Sequence, residues 1–176
     1  MALVVLLRGV NVGGHQIFRP TILAKQLKHL DAVNIGAAGT FVIRQPVTRS
    51  RLRAELAGRL PFDPQIIICE GRDILSLMVQ NPFAHDPVRS DIVRFMSVLS
   101  RRPRSEPSLP LSFPSSDRWL LRILARKERF VFGLYRRHVK TISYLGTVDR
   151  LFGVPITTRN WNTITAIAKA LGAEGT

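Results

Sequence analysis

Five residues near the chain's middle have types and spacing that suit one chemistry: Arg118, Arg122, Arg126, Arg129 and Tyr135. Arginines grip phosphates with forked N–H donors, and a tyrosine ring can stack on a base. Together they suggest a nucleic-acid or other polyanion contact. The segment alternates like a β-hairpin, so Arg118, Arg122 and Arg126 would recur every ~13 Å along one face. Trp119, Leu121, Ile123 and Ala125 would fall on the other. A two-residue turn at Lys127-Glu128 would pair Arg126 with Arg129, Leu124 with Val131 and Arg122 with Gly133. Phe130, Phe132 and Leu134 would then join Trp119 in the core. Lys-Glu suits a primed turn poorly, and a solvated strand face would use the same arginines.

A second candidate is an anion pocket between two halves of the chain, formed by Arg8, Asn11, Arg159 and Asn160, for a small-molecule binder or an enzyme. Arg8 precedes the glycine-rich run Gly9-Val-Asn-Val-Gly-Gly14. A Walker A loop needs Lys and then Ser or Thr after its last glycine, and His15 and Gln16 stand there instead. Nucleotide hydrolysis at this loop is excluded on that ground. Arg159 stands near the expected start of the last helix, where Thr158 or Asn160 would cap it and Trp161 would pack inward with Ile164, Ile167 and Ala168.

Other chemistry has little to stand on. His15, His29, His85 and His138 lack metal-ligand spacing, so no metal is expected, and no cofactor motif appears. His85-Asp86 reads as part of a turn, and no nucleophile elbow is present. Cys69, the one cysteine, ends the apolar run Gln65–Cys69 and reads as a small buried residue.

The elements that must hold these residues follow from periodicity. Leu3–Arg8 reads as a strand buried on both faces. A helix follows from Arg19 with Pro20 in its first turn and Ile22, Leu23, Leu27 and Leu30 on its apolar face. Val33–Ile35 and Thr40–Ile43 flank a turn, Gly36–Gly39. Val47–Leu60 is helical, with Leu52, Leu56 and Leu60 spaced by four, and Ile66–Glu70 closes the unit. The order βαββαβ is the ferredoxin-like, split βαβ arrangement. Beyond it come a short helix stopped at Asn81-Pro82, a strand over Asp91–Leu99, the hairpin, and two helices over Ser143–Phe152 and Asn160–Leu171. The Pro- and Ser-rich stretch 101–116 reads as a loop or flap. The expectation is an α+β protein with a ferredoxin-like half at 1–70 and a second, irregular α+β half at 71–176.

The charge balance is extreme. Lys and Arg number 26 against 12 Asp and Glu, a formal net charge of +14. Residues 101–140 carry eleven of the basic and three of the acidic residues, a net of +8. Such an excess favours an anionic partner. It also fits a merely arginine-rich surface, since Lys occurs only at 25, 28, 127, 140 and 169. The apolar start is too short for a membrane span and lacks a basic leader. A cytoplasmic protein with no membrane partner is therefore expected, its oligomeric state open.

Leu6-Leu-Arg-Gly-Val-Asn-Val-Gly-Gly14, Asn81-Pro-Phe83 and Gly153-Val-Pro-Ile-Thr-Thr-Arg-Asn-Trp-Asn-Thr163 resemble the bacterial domain-of-unknown-function family 1697. The resemblance implies two related, intertwined α+β halves, the first ferredoxin-like. It brings no established activity, cofactor or catalytic residue. Thr40 and His15 depart from the family pattern, which tends to have Ser-Gly-Asn before the third strand and Lys after the Gly-Gly pair. Of the Ser-Lys pair usual before the penultimate helix, only Lys140 is a match.

Overall fold

The computed structural model describes residues 1–11, 14 and 17–172. The chain forms two compact units, one of residues 1–80 and 163–176, the other of residues 81–162. The boundary expected at 70/71 leaves the helix over 71–80 and most of the last helix in the second half, whereas both belong to the first unit. His15 and its neighbour Gln16 lie outside the described residues.

The first unit contains β1 (Leu3–Arg8), α1 (Pro20–Gln26), β2 (Ala32–Ile35), β3 (Thr40–Ile43), α2 (Arg49–Arg59) and β4 (Gln65–Glu70). Its sheet runs β2-β3-β1-β4, antiparallel throughout. This is the ferredoxin-like order expected of βαββαβ. One face, with Val5, Leu7, Phe41 and Ile68, packs on Leu23 and Leu27 from the first helical segment and Leu52 and Leu56 from α2. The other face is buried as well, at Val4, Leu6, Val42 and Ile67. Strand β1 is thus apolar on both sides for the reason its sequence suggests. Thr48 caps α2 by accepting the Arg51 N–H at 3.2 Å, a contact worth about 1 kcal/mol. The first helical segment is shorter than expected. After Gln26 it tightens into a 3-10 turn over Lys28–Leu30, and Ile22, assigned to its apolar face, is 45% exposed.

A helix, α3 (Gly71–Gln80), starts directly after β4. The second unit then contains β5 (Ile92–Leu99), β6 (Leu111–Phe113), β7 (Leu121–Lys127), β8 (Phe130–Arg136), α4 (Thr141–Leu145), α5 (Val148–Phe152) and β9 (Ile156–Asn160). The last helix, α6 (Trp161–Gly172), starts directly after β9. The second sheet runs β6-β7-β8-β5-β9. Without the edge strand β6 this is the order of the first sheet, with β5, β7, β8 and β9 in the places of β1, β2, β3 and β4. In chain order helices α4 and α5 stand where α2 does, and α6 where α3 does. The Pro-rich segment takes the place of α1. The chain is therefore a twofold repeat of one ferredoxin-like plan.

Three expectations for the second unit are refined or corrected. Residues 101–116 are loop over most of their length, as expected, but are tied down rather than a flap: β6 pairs with β7, the Arg104 N–H donates to the Phe152 carbonyl at 2.8 Å, and the Ser105 hydroxyl donates to the Leu151 carbonyl at 2.8 Å. Ile156–Asn160 is a strand paired with β5, not the lead-in to a helix. Thr158 accordingly caps nothing, because its hydroxyl bonds that of Ser97 at 2.6 Å across the strand pair.

The hairpin register also differs. Lys127 pairs with Phe130, which leaves Glu128 and Arg129 as the turn, with Glu128 in the left-handed region at φ 52°. Leu124 bulges out between the pairs Ile123–Gly133 and Ala125–Phe132. A bulge reverses the alternation beyond it. Arg122 therefore shares a face with Leu134, and Arg126 lies on the opposite face with Val131.

Gly133 sits where β7, β8 and β5 meet. A Cβ there would stand 2.4 Å from Phe95 Cζ and 2.5 Å from the Arg122 carbonyl oxygen. Neither the ring's core position nor the backbone can give way cheaply. The Gly133→Ala variant should lose about 3 kcal/mol of stability, as overpacked cores do, read as a lower midpoint in urea unfolding. An unchanged midpoint would refute this packing.

Candidate functional site

The structure does not gather the five hairpin residues on one face. Arg118 precedes β7, is exposed, and its N–H donates to Ser116 Oγ at 3.2 Å. Arg122 Nε donates to Ser112 Oγ at 3.0 Å, and its guanidinium carbon lies 4.4 Å from the centre of the Trp119 ring. The guanidinium carbon of Arg136 lies 4.6 Å from the same ring, which is only 6% exposed. Trp119 was expected across the strand from Arg122; it is covered by the arginines instead. Arg126 pairs with Glu106 at 2.6 Å. Arg129 donates to the carbonyls of Leu99 and Ser100 at 2.8 and 3.4 Å. The side chains of Arg122, Arg126 and Arg129 therefore have roles inside the fold, Tyr135 packs against the core, and only the Arg118 side chain stands exposed.

Of the second candidate set, Arg8 and Asn11 lie in the first unit and Arg159 and Asn160 in the second. Arg8 donates to Gln65 Oε1 at 3.2 Å. The Asn11 side chain donates to the Ala37 carbonyl at 3.1 Å and accepts the Phe18 N–H at 2.9 Å, tying the loop after β1 to the turn before β3. Arg159 is 8% exposed and donates to Thr157 Oγ1 and the Thr158 carbonyl at 2.8 and 2.9 Å. Burial pushes its guanidinium pKa down to about 10, still charged at neutral pH. Thr40 is fully buried in β3, opposite Leu6.

Tyr135 and Asn160, taken from the two different sets, line one pocket inside the second unit. Its volume is about 290 Å³. It lies where β5 begins, β8 ends and β9 passes into α6, an end of the sheet that the strand order β8-β5-β9 brings together. Arg89 and Arg94 come from the approach to β5 and from β5 itself, and Arg137 from the end of β8. Trp161 and Asn162, the first two residues of α6, complete the wall, with Val88, Ile92 and Val93 as its aliphatic part. Three arginines and no carboxylate line it.

Each part of the wall is braced. Arg89 forks onto Asp91, with Nε–Oδ1 at 2.9 Å and Nη2–Oδ2 at 3.0 Å. Arg94 donates to the Asp86 carbonyl and lies 5.6 Å from the centre of the Phe83 ring. Trp161 meets Phe83 and Phe132 edge to face, with centroids 5.0 and 6.4 Å apart. Tyr135 packs on Phe95 at 5.8 Å, and its burial raises the phenol pKa against the opposing effect of Arg137. The pocket residues that sequence reasoning missed are Arg89, Arg94, Arg137, Trp161 and Asn162.

The first unit has a depression at the same place in its own repeat, lined by Met1, Leu3, Pro46, Val47, Thr48, Arg49 and Glu70. Glu70 ends β4 as Asn160 ends β9, and its carboxylate meets Arg49 at 3.1 Å and Arg72 at 2.6 Å. Among the described residues no cluster of His, Cys, Asp or Glu could hold a metal ion, and no helix is long and apolar enough to cross a membrane.

Fold and site together define an α+β protein of two ferredoxin-like units, the second with a basic pocket. The chain belongs to the family described as "Protein of unknown function (DUF1697)", which matches residues 1–114. That span includes the first two motifs and ends before the third. The conserved bacterial protein SP0830 from Streptococcus pneumoniae shares the fold over 97% of both chains, with a TM-score of 0.59 and 18% identity. Among curated proteins there is no match to the chain.

The Arg89–Asp91 pair has a readable pH signature. The Arg89 hydrogen bonds outweigh the opposing desolvation and hold Asp91 below its ordinary 3.8. The pair's contribution is therefore complete above 3.8 and is lost as pH falls through the lower folded value. In urea unfolding across a pH series, Asp91→Asn should be less stable than the parent above 3.8, with the gap closing at more acid pH. A gap unchanged at acid pH would contradict the pairing.

Proposed function

We propose that the second unit binds a small anionic ligand in the pocket between Arg89, Arg94 and Arg137. The observation that carries this reading is a wall lined by three arginines and by no Asp or Glu. Guanidinium forks favour phosphate and carboxylate groups, and a concave, partly dry site strengthens each contact relative to open water. The contrast with the first repeat supports it. Glu70 gives the corresponding depression a carboxylate that balances its Arg49, whereas the neutral amide of Asn160 leaves this one cationic.

Titration with inorganic phosphate and simple phosphate monoesters, followed by tryptophan fluorescence and calorimetry, tests the proposal. Binding should be saturable and weaken with salt. Arg137→Ala should cost about tenfold in affinity, the worth of one charge-assisted hydrogen bond. Asn160→Glu should abolish binding by copying the charge of the first repeat. Absence of saturable binding by the parent, or binding that both variants retain in full, would overturn it.

Contact with nucleic acid through the outer surface is a second reading, favoured by the net charge of +14 and by the exposed Arg101, Arg102, Arg118 and Lys140. It requires a salt-sensitive gel shift with mixed-sequence RNA or DNA that survives Asn160→Glu. No shift at low salt and micromolar protein would end it.

A further inference from the structure

Resting on the anion-pocket reading, we infer that the ligand is a nucleoside monophosphate, with its phosphate on the arginines and its base against Trp161, one of the two aromatic residues that line the same pocket. A wall meant only for phosphate has no use for two aromatic rings, yet Tyr135 and Trp161 both line this one. They come from different places. Tyr135 ends β8 on the sheet face that carries Val93, its partner across the strand pair, whereas Trp161 opens α6 and packs on Phe132, which belongs to the opposite face. Trp161 is held by its edge-to-face contacts with Phe83 and Phe132, and Tyr135 by Phe95. Their orientations are therefore set before a ligand arrives, which lowers the entropic cost of stacking.

The flanking residues fit the edge of a base. Asn160 and Asn162 stand on either side of Trp161, and both are exposed. A side-chain amide offers a donor and an acceptor in one plane, the pattern that pairs with the edge of adenine. Both amides line the same pocket as Trp161, while Arg89, Arg94 and Arg137 supply the charge. The volume of about 290 Å³ is at the lower end for pockets that take drug-sized molecules. That suits one nucleotide rather than a strand of several.

Calorimetric titration of the whole chain with AMP, UMP, ribose 5-phosphate and inorganic phosphate separates the base from the phosphate. AMP should bind about tenfold tighter than ribose 5-phosphate, the scale of one stacked base. Asn162→Ala, a change at an exposed position, should lower AMP affinity several-fold and leave ribose 5-phosphate unchanged. Trp161→Phe should keep the fold and reduce the preference for AMP. If ribose 5-phosphate binds as tightly as AMP, the base is not read and this inference fails while the anion pocket stands. If none of the four binds, both fall together.

Discussion

The close approach of Phe95 to Gly133 is the constraint on which the second unit depends. The two residues face each other across β5 and β8, and the ring fills space that any side chain at 133 would need. With hydrogen there, β8 lies flush against β5, and Phe95 reaches Tyr135 two residues further along β8. The paired ends then deliver Tyr135 and Arg137 beside Ile92 and Arg94. On the other side of β5, β9 pairs through Asn160 and places the start of α6 at the same end of the sheet. The pocket is a consequence of that strand order, and the same order recurs in the first unit.

Most of the chain's positive charge serves the fold before it can serve a ligand. Arg122 and Arg136 cover Trp119, Arg126 holds Glu106, and Arg129 satisfies carbonyls at the end of β5. In the first unit Arg51 and Arg59 meet Glu55, and Arg44 meets Asp31. Glu55 is pushed up by desolvation but pulled further down by His29 and these arginines, so it titrates below its ordinary value. Net charge alone is thus a poor guide to a partner here. The informative arginines are the few around a cavity that holds no carboxylate.

Local pattern made the first unit legible. Leu3–Arg8, Thr40–Ile43 and the run of leucines four apart in α2 each admit one element, and their order admits one sheet. The second unit hid what depends on distant contacts. Glu128 in the left-handed region and the Leu124 bulge shift the hairpin, and neither residue type announces such a conformation. Ile156–Asn160 reads as a helix lead-in because Thr and Asn are good caps, and only pairing with β5 makes it a strand. Tyr135 and Asn160 fell into separate candidate sets, since nothing local says that β8 and β9 flank the same strand. One signal was available: a helix follows at once after Glu70 and after Asn160, which marks the repeat and so the shared end of each sheet.

The central claim is that the second unit holds an anion among Arg89, Arg94 and Arg137. The most direct measurement is a crystal structure of the whole chain with phosphate, at high and low salt. The account predicts one phosphate within hydrogen-bond distance of at least two of these guanidinium groups, in the same place at both salt concentrations. Phosphate found only at scattered exposed arginines, with this pocket holding water alone, would contradict it.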